Sequence, residues 1–410
     1  MHNQGSTKHS NELSFYNLGL DAPILKVLDK LQFKIPTPIQ AQAIPDALTG
    51  EDIIGVAQTG TGKTLAFSLP IIQRLIHNPG RGLILLPTRE LAIQVEETLH
   101  KVAQSFGLRT AMIIGGARMG GQIRDLRNNP HVIIGTPGRI INHIQDKTIK
   151  LDDVSVLVLD EADRMLDMGF APQIKRILQI VPSKRQTMLF SATMPKEIIN
   201  IAMQYMKTPT HVEVARQGTT AEGVDQEIYI VSRNQKMQLM RIMLDRHSGS
   251  TLVFSRTKHG AKRICKDLNN MGIRAAEIHS NRSLGQRKQA LDGFKSGRFR
   301  VLVATDIAAR GIDVNDIALV LNFDVPEYAE DYVHRIGRTG RAGKKGRAIT
   351  FIMPSQSDKL RKIELLTESK LRKSELPEGL PAPIYDGPKA QVVRRGTHTT
   401  FKSRRKGGRR

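Results

Sequence analysis

The chain has no tryptophan, a single cysteine and only 4 % aromatic residues. One thiol, Cys265, excludes an internal disulfide and fits a reducing compartment. Its setting, Ala261-Lys262-Arg263-Ile264-Cys265, reads as a small buried position on a helix rather than a reactive site. The opening residues, Met1 to Ser10, are polar and lack an apolar signal core. No stretch approaches the ~20 apolar residues of a membrane helix, so a soluble cytoplasmic protein is expected. Acid is the scarcer charge: 39 Asp and Glu stand against 62 Lys and Arg, a net +23 with a pI near 10.2. That excess points to a polyanionic partner such as nucleic acid. Nine of the cations lie in the acid-free segment Pro388 to Arg410, and removing them from +23 still leaves +14. The basicity therefore belongs to the whole chain.

What is present suffices for two or three folded domains, since 410 residues are 40 % apolar. Between Phe15 and Lys207, short apolar runs recur among helical stretches: Asp52 to Val56, Gly82 to Leu86, His131 to Ile134, Val156 to Leu159 and Thr187 to Phe190. Runs without polar alternation suggest strands buried on both faces, hence a parallel sheet flanked by helices. A second series follows at Glu227 to Val231, Thr251 to Phe254, Val301 to Ala304, Leu319 to Leu321 and Ala348 to Ile352. The expected fold class is α/β, with one parallel-sheet domain over 15–207, a linker over 208–223, a second domain over 224–377 and a disordered basic tail over 378–410. Residues 1–14 read as a flexible N-terminus.

The chemistry centres on Ala57-Gln58-Thr59-Gly60-Thr61-Gly62-Lys63-Thr64, which follows the first apolar run and precedes Leu65-Ala66-Phe67. A strand, a glycine turn and a helix start make a phosphate cradle: glycines let backbone N–H groups approach an anion, and Lys63 and Thr64 reach terminal phosphate and Mg²⁺. The general pattern has Gly where Ala57 stands. Only the first domain carries such a loop, which suggests that the second contributes to a site built on the first. A nucleotide site also needs a carboxylate at the end of a neighbouring buried strand to hold Mg²⁺. Val156 to Leu159 runs into Asp160-Glu161-Ala162-Asp163. Asp160 suits the metal and Glu161 the attacking water.

That acidic segment resembles the signature of the DEAD-box ATP-dependent RNA helicases, and the likeness runs from about Phe15 to about Ile352. Flanking stretches, Leu159 to Phe170 and Ala304 to Val314, look most like the bacterial RhlE subgroup. The resemblance implies two RecA-like domains, an ATP cofactor with Mg²⁺, and RNA as partner. Phe33 to Gln40 resembles the family's Q motif: Phe33 would stack on adenine and Gln40 would pair with the base edge, with Phe15 as the supporting upstream aromatic. Gln32 stands where the family usually has Gly. Pro87-Thr88-Arg89, Gly115-Gly116, and Thr136, Gly138 and Arg139 resemble RNA-facing motifs that hold phosphate and sugar without reading sequence. Ser191-Ala192-Thr193 resembles the segment coupling the ATP site to RNA through Asp163.

In the second domain the resemblance assigns Thr305 to RNA, Asp313 to the ATP ribose and Arg310 to contacts across the cleft. Arg256 and Arg287 are candidates for phosphate, although Leu284 stands where the family usually has Gln. Tyr332 to Arg341 resembles the final motif, on an expected helix, with Arg338 and Arg341 as arginine fingers and His334 as a link toward the acidic segment. The function implied is an RNA-stimulated ATPase that locally unwinds short duplexes or remodels RNA–protein complexes. Ribonucleoprotein or RNA-decay partners are open candidates. An ATP-gated RNA clamp or annealing factor would use the same motifs.

Overall fold

Apolar runs with no polar face become strands covered on both sides. In the computed structural model, which describes residues 13–57, 60–214, 223–309, 317–340 and 345–384, they form two parallel seven-stranded sheets. The first contains β1 (Ile53–Val56), β2 (Arg81–Leu85), β3 (Thr110–Ile113), β4 (Val132–Gly135), β5 (Val154–Asp160), β6 (Gln186–Ser191) and β7 (Thr210–Glu213). The second contains β8 (Val224–Ile230), β9 (Thr251–Phe254), β10 (Ala275–Ile278), β11 (Val301–Ala304), β12 (Leu319–Asn322), β13 (Gly346–Ile352) and β14 (Arg372–Lys373). Their orders, β3-β4-β2-β5-β6-β1-β7 and β10-β11-β9-β12-β13-β8-β14, are the same order offset by seven strands. One topology is built twice.

The period of two sorts each strand between two cores. Val156 and Val158 enter one cluster of the first domain with Met188 and Phe190, while Leu157 and Leu159 enter the other with Leu83 and Leu189. The second sheet does the same, with Leu252 and Phe254 on one side and Val253, Val301 and Val303 on the other. Because every pairing is parallel, the loops after the strands gather on one edge of each sheet, where ligand sites of such folds form.

Two boundaries differ from the sequence expectation. Residues 210–213, read as linker, pair with β1 as an edge strand; the exposed face of β7 accounts for its polar composition. The second domain also runs past 377. Leu380 packs on its core, and the carbonyls of Pro381 and Ala382 accept from Gln235 Nε2 at 2.7 Å and Asn234 Nδ2 at 2.9 Å. The rest of the expected tail, 385–410, lies outside the described residues.

Candidate nucleotide site and nucleic-acid interface

At the end of β1 the N–H of Ala57 donates to the Ser191 carbonyl at 2.9 Å, tying the glycine loop to the end of β6. The chain then turns through Gly60 (φ +87°) and Gly62 (φ +91°) into the helix Lys63–His77. Gly62 is required twice over: its φ is left-handed, and a Cβ there would lie 2.5 Å from Gln40 Nε2. Gln40 is buried at the start of the helix Pro38–Thr49. Its Oε1 accepts the Thr37 N–H at 2.9 Å and its Nε2 donates to the Gly62 carbonyl at 2.9 Å. The amide expected to face a base thus also braces the phosphate loop. Phe33 is half-buried against the first core, whereas Phe15 is 2 % exposed and packed inside it. Phe15 therefore supports this region from within.

Lys63 is buried and donates through Nζ to the Ala57 carbonyl at 2.8 Å, with the half-buried Thr64 next in the helix. Gln58 and Thr59 lie outside the described residues, as do Arg310, Asp313 and Arg341. Asp160, at the end of β5, is held by burial at a pKa of about 6 despite the opposing attraction of Lys63. Its Oδ1 accepts the Glu161 N–H at 2.9 Å. A buried carboxylate short of positive charge suits a divalent cation. Among the described residues no three His, Cys, Asp or Glu side chains form a metal cluster. A cation held by Asp160 and Thr64 would share its shell with phosphate and water, as Mg²⁺ does.

Glu161 adopts φ +53°, a left-handed backbone for a non-glycine residue. Strain of this kind is tolerated where the surroundings over-determine it, often at functional sites. Its Oε2 pairs with Arg164 Nη1 at 2.7 Å, both side chains almost fully buried. Sequence reasoning missed this arginine, which only its three-residue spacing could have suggested.

Asp163 is the junction of the site. Its N–H donates to Ser191 Oγ at 3.2 Å. Its Oδ2 accepts from the Ala192 N–H at 3.1 Å and from the Thr193 N–H and Oγ1 at 2.9 Å each. Burial alone would push its carboxyl up, but the Thr193 hydroxyl and the Arg164 N–H outweigh that and hold it below the usual range. The acidic segment, β6 and the glycine loop are joined through these few atoms.

On the motifs that resemble RNA-facing ones, side-chain roles separate. Pro87 is buried, and Thr88 caps the helix Arg89–Ala103 by accepting the Leu91 N–H at 3.3 Å. Arg89 lies over the Gly115-Gly116 turn, where a Cβ on Gly116 (φ +78°) would meet Arg89 Nη1 at 2.1 Å. Arg139 is committed beneath that turn, donating to the Ile114 carbonyl at 3.1 Å and the Ala117 carbonyl at 2.5 Å. It positions the loop, a use that the presence of a cation in a turn does not announce. Gln122 also donates to the Ile114 carbonyl, at 3.0 Å, and the buried His143 contacts Gln122 Oε1 at 3.3 Å. Thr136 and Gly138 sit at the start of the helix Pro137–Gln145.

In the second domain Thr305 opens the helix Asp306–Ala309, its carbonyl accepting the Ala308 and Ala309 N–H groups. Arg256 has an exposed side chain, while its N–H donates to Asp324 Oδ2 at 3.1 Å. Asp324 is fixed by the buried Lys236 at 3.0 Å. The helix Ala329–Ile336 is capped by Gly337 and stops before Arg338, so Arg338 does not lie on the expected helix. Arg335 is instead a buried anchor, with two bonds to Asp306 at 2.5 and 2.7 Å. His334 and the buried Arg338 line a small cavity with Asp306 and Asp331.

The two domains meet at Arg287, whose Nη2 lies 2.9 Å from Glu90 Oε2 with both side chains about nine-tenths buried. Leu284, one turn earlier, packs on the first-domain core. Arg287, a phosphate candidate by sequence, is thus paired across the domain boundary. The unexpected leucine supplies an apolar contact at that boundary.

A phosphate loop, strand-end carboxylates and arginines presented by a twin sheet place the chain among two-domain nucleotide-driven proteins of RecA-like fold. Family models for DEAD/DEAH box helicases and for the helicase conserved C-terminal domain match residues 37–201 and 234–343. The chain is 45 % identical over 370 residues to the DEAD-box ATP-dependent RNA helicase CshA of Bacillus licheniformis, covering 89 % of this chain and 76 % of that protein. It is 44 % identical over 375 residues to the ATP-dependent RNA helicase CshA of Listeria monocytogenes, covering 91 % and 71 %. The chain belongs to the DEAD-box ATP-dependent RNA helicases. These relatives carry the name CshA and do not bear out the RhlE subgroup. The structure resembles S. cerevisiae Dbp5 bound to RNA and ADP BeF3 (TM-score 0.76, 31 % identity, 88 % of this chain and 95 % of that one). It also resembles Mss116p bound to ssRNA and AMP-PNP (TM-score 0.80, 28 % identity, 90 % and 81 %). No helix among the described residues is long and apolar enough to cross a membrane.

Proposed function

We propose that the chain hydrolyses ATP when RNA draws its two domains together, and that it uses the closed state to open short duplexes or rearrange RNA–protein complexes. The junction at the end of β6 carries this reading, because Ser191 binds both Asp163 of the acidic segment and Ala57 of the nucleotide loop, and Thr193 binds Asp163 again. Lys63 exchanges the Ala57 carbonyl for phosphate, and backbone N–H groups of Gly60 to Thr64 cradle the anion. Mg²⁺, when bound, neutralises phosphate charge; Thr64 and Asp160 are the residues to hold it. Glu161 orients water for attack at the γ-phosphate and takes up its proton. Phe33 and Gln40 hold adenine, and Asp313 the ribose. Arg338 and Arg341 approach the γ-phosphate only when the domains close.

RNA runs across both domains by its backbone, over Thr88, Arg89, the Gly115-Gly116 turn, Thr136 and Gly138 on one side and Arg256 and Thr305 on the other. Contacts of that kind position a strand without selecting its sequence. Ser191, Thr193 and His334 transmit closure between the RNA surface and the acidic segment. Changing Glu161→Gln should leave ATP and RNA binding intact while hydrolysis falls by about 10²-fold or more, the usual scale of a lost general base. Unchanged turnover would remove Glu161 from the mechanism.

A further inference from the structure

The amino-terminal edge of the first sheet carries a cavity that the nucleotide mechanism leaves unused. Its volume is about 310 Å³, and Gly50, Glu51, Asp52, Arg74, Lys184, Arg185, Gln186 and Lys207 frame it. Asp52 precedes β1, Gln186 opens β6 and Lys207 precedes β7. The phosphate loop lies at the opposite edge, beyond the ~13 Å length of the four-residue β1.

Four cations, Arg74, Lys184, Arg185 and Lys207, face the two carboxylates of Glu51 and Asp52, so the lining is positive on balance. Asp52 spends both carboxylate oxygens on backbone, accepting the Thr187 and Lys207 N–H groups at 2.6 Å each. Glu51 accepts the Thr210 hydroxyl at 2.8 Å. Arg185 is committed to Thr187 Oγ1 and the carbonyls of Pro182 and Tyr205. Arg74, Lys184 and Lys207 make no ion pair with another described residue. Arg74 Nε is shut away from solvent without a hydrogen-bond partner. Gly50, at φ +91°, brings the chain close enough that a Cβ would lie 3.3 Å from Arg74 Nη1. A shielded donor without an acceptor is costly, and an arginine fork is shaped for a phosphate.

We propose that this cavity is a second anion site, separate from the ATP site, that takes the phosphate groups of a small ligand no larger than a mononucleotide. The volume stands at the low end of the ~300–1,000 Å³ typical of small-molecule sites. Arg74 provides the oriented donors, and Lys184 and Lys207 provide mobile point charges at the rim.

The test is amine-reactive labelling of the full chain, read by mass spectrometry at Lys184, Lys207 and Lys63, with AMP-PNP filling the ATP site. Inorganic pyrophosphate is the probe, ADP and a single-stranded RNA without terminal phosphates are parallel arms, and KCl matches the ionic strength. Pyrophosphate should slow labelling of Lys184 and Lys207 several-fold. The change Arg74→Gln should raise the pyrophosphate concentration needed by about tenfold, as expected for one lost contact to a charged group. Protection of Lys63 by AMP-PNP should persist in that variant, which shows both that the domain is folded and that the ATP site is intact. Protection by KCl alone, or protection indifferent to Arg74→Gln, overturns the proposal. Protection by RNA without pyrophosphate or ADP overturns the small-ligand assignment and gives the surface to the RNA backbone.

Discussion

The Arg287–Glu90 pair is where domain closure can be weighed. Both side chains are about nine-tenths buried and their charged atoms are 2.9 Å apart. Burial pushes the Glu90 carboxyl up, against the pull of Arg287, and burial likewise pushes the Arg287 guanidinium down, against the pull of Glu90. For both partners desolvation exceeds mutual attraction, so the pair adds little net stability while an orphaned partner is expensive. Glu90→Ala leaves Arg287 desolvated, its Nε already lacking a partner. Breaking such a pair costs about 3–5 kcal/mol in a sealed core. At a boundary that can open and rehydrate, roughly 2 kcal/mol is the fitting figure, about thirtyfold in the closure equilibrium. The RNA concentration giving half-maximal ATPase should therefore rise about tenfold or more in Glu90→Ala and in Arg287→Ala, with saturating RNA restoring much of the rate. Glu90→Ala combined with Arg287→Ala should cost well under the sum of the two single losses, a coupling that a double-mutant cycle measures directly. Half-maximal concentrations unchanged in both single variants, or purely additive losses in the double variant, would refute this use of the pair.

Gln32 holds φ +62°, its backbone N–H and its exposed Nε2 both donating to the Asp29 carbonyl, at 2.9 and 3.0 Å. A non-glycine residue pays about 1–2 kcal/mol for that backbone, partly offset by the greater freedom of unfolded glycine, so Gln32→Gly should stabilise the first domain by about 0.5–1 kcal/mol in urea unfolding. No gain, or a loss, would mean that the strain is absent. Burial, reinforced by the neighbouring Arg139 charge, holds the His143 imidazole below its ordinary value of 6.5. A lowered histidine contributes stability above pH 6.5 that is lost as pH falls through and below that value. The urea midpoint should fall between about pH 7 and about pH 5, and His143→Gln should lower it at neutral pH while flattening the decline. An equal pH slope in the variant would exclude His143 as a source.

The parts legible in sequence were those in which local spacing is itself the mechanism. The glycine loop before Lys63 and the acids after Val156 to Leu159 need only the end of a buried strand to become a site, and the apolar runs announced those strands. β3 and β10 escaped notice because Thr110 and Ala275 to Glu277 interrupt the apolar run with small or polar residues. Partners were harder to see than positions. Arg139 and Arg287 both read as contacts for RNA or phosphate, yet one holds a turn and the other meets Glu90. Nothing in a linear pattern distinguishes an arginine facing phosphate from one facing a carbonyl far along the chain. Glu161 bonded to Arg164, and Gln40 bonded to Gly62, were hidden for the same reason.

RNA is what completes the ATP site. Steady-state ATP hydrolysis by the full chain, with single-stranded RNA, with matched DNA and with neither, tests that directly. The rate should rise with RNA to saturation, stay near basal with DNA, and collapse in Glu161→Gln and Arg338→Ala. A rate independent of RNA, or equal stimulation by DNA, would contradict it.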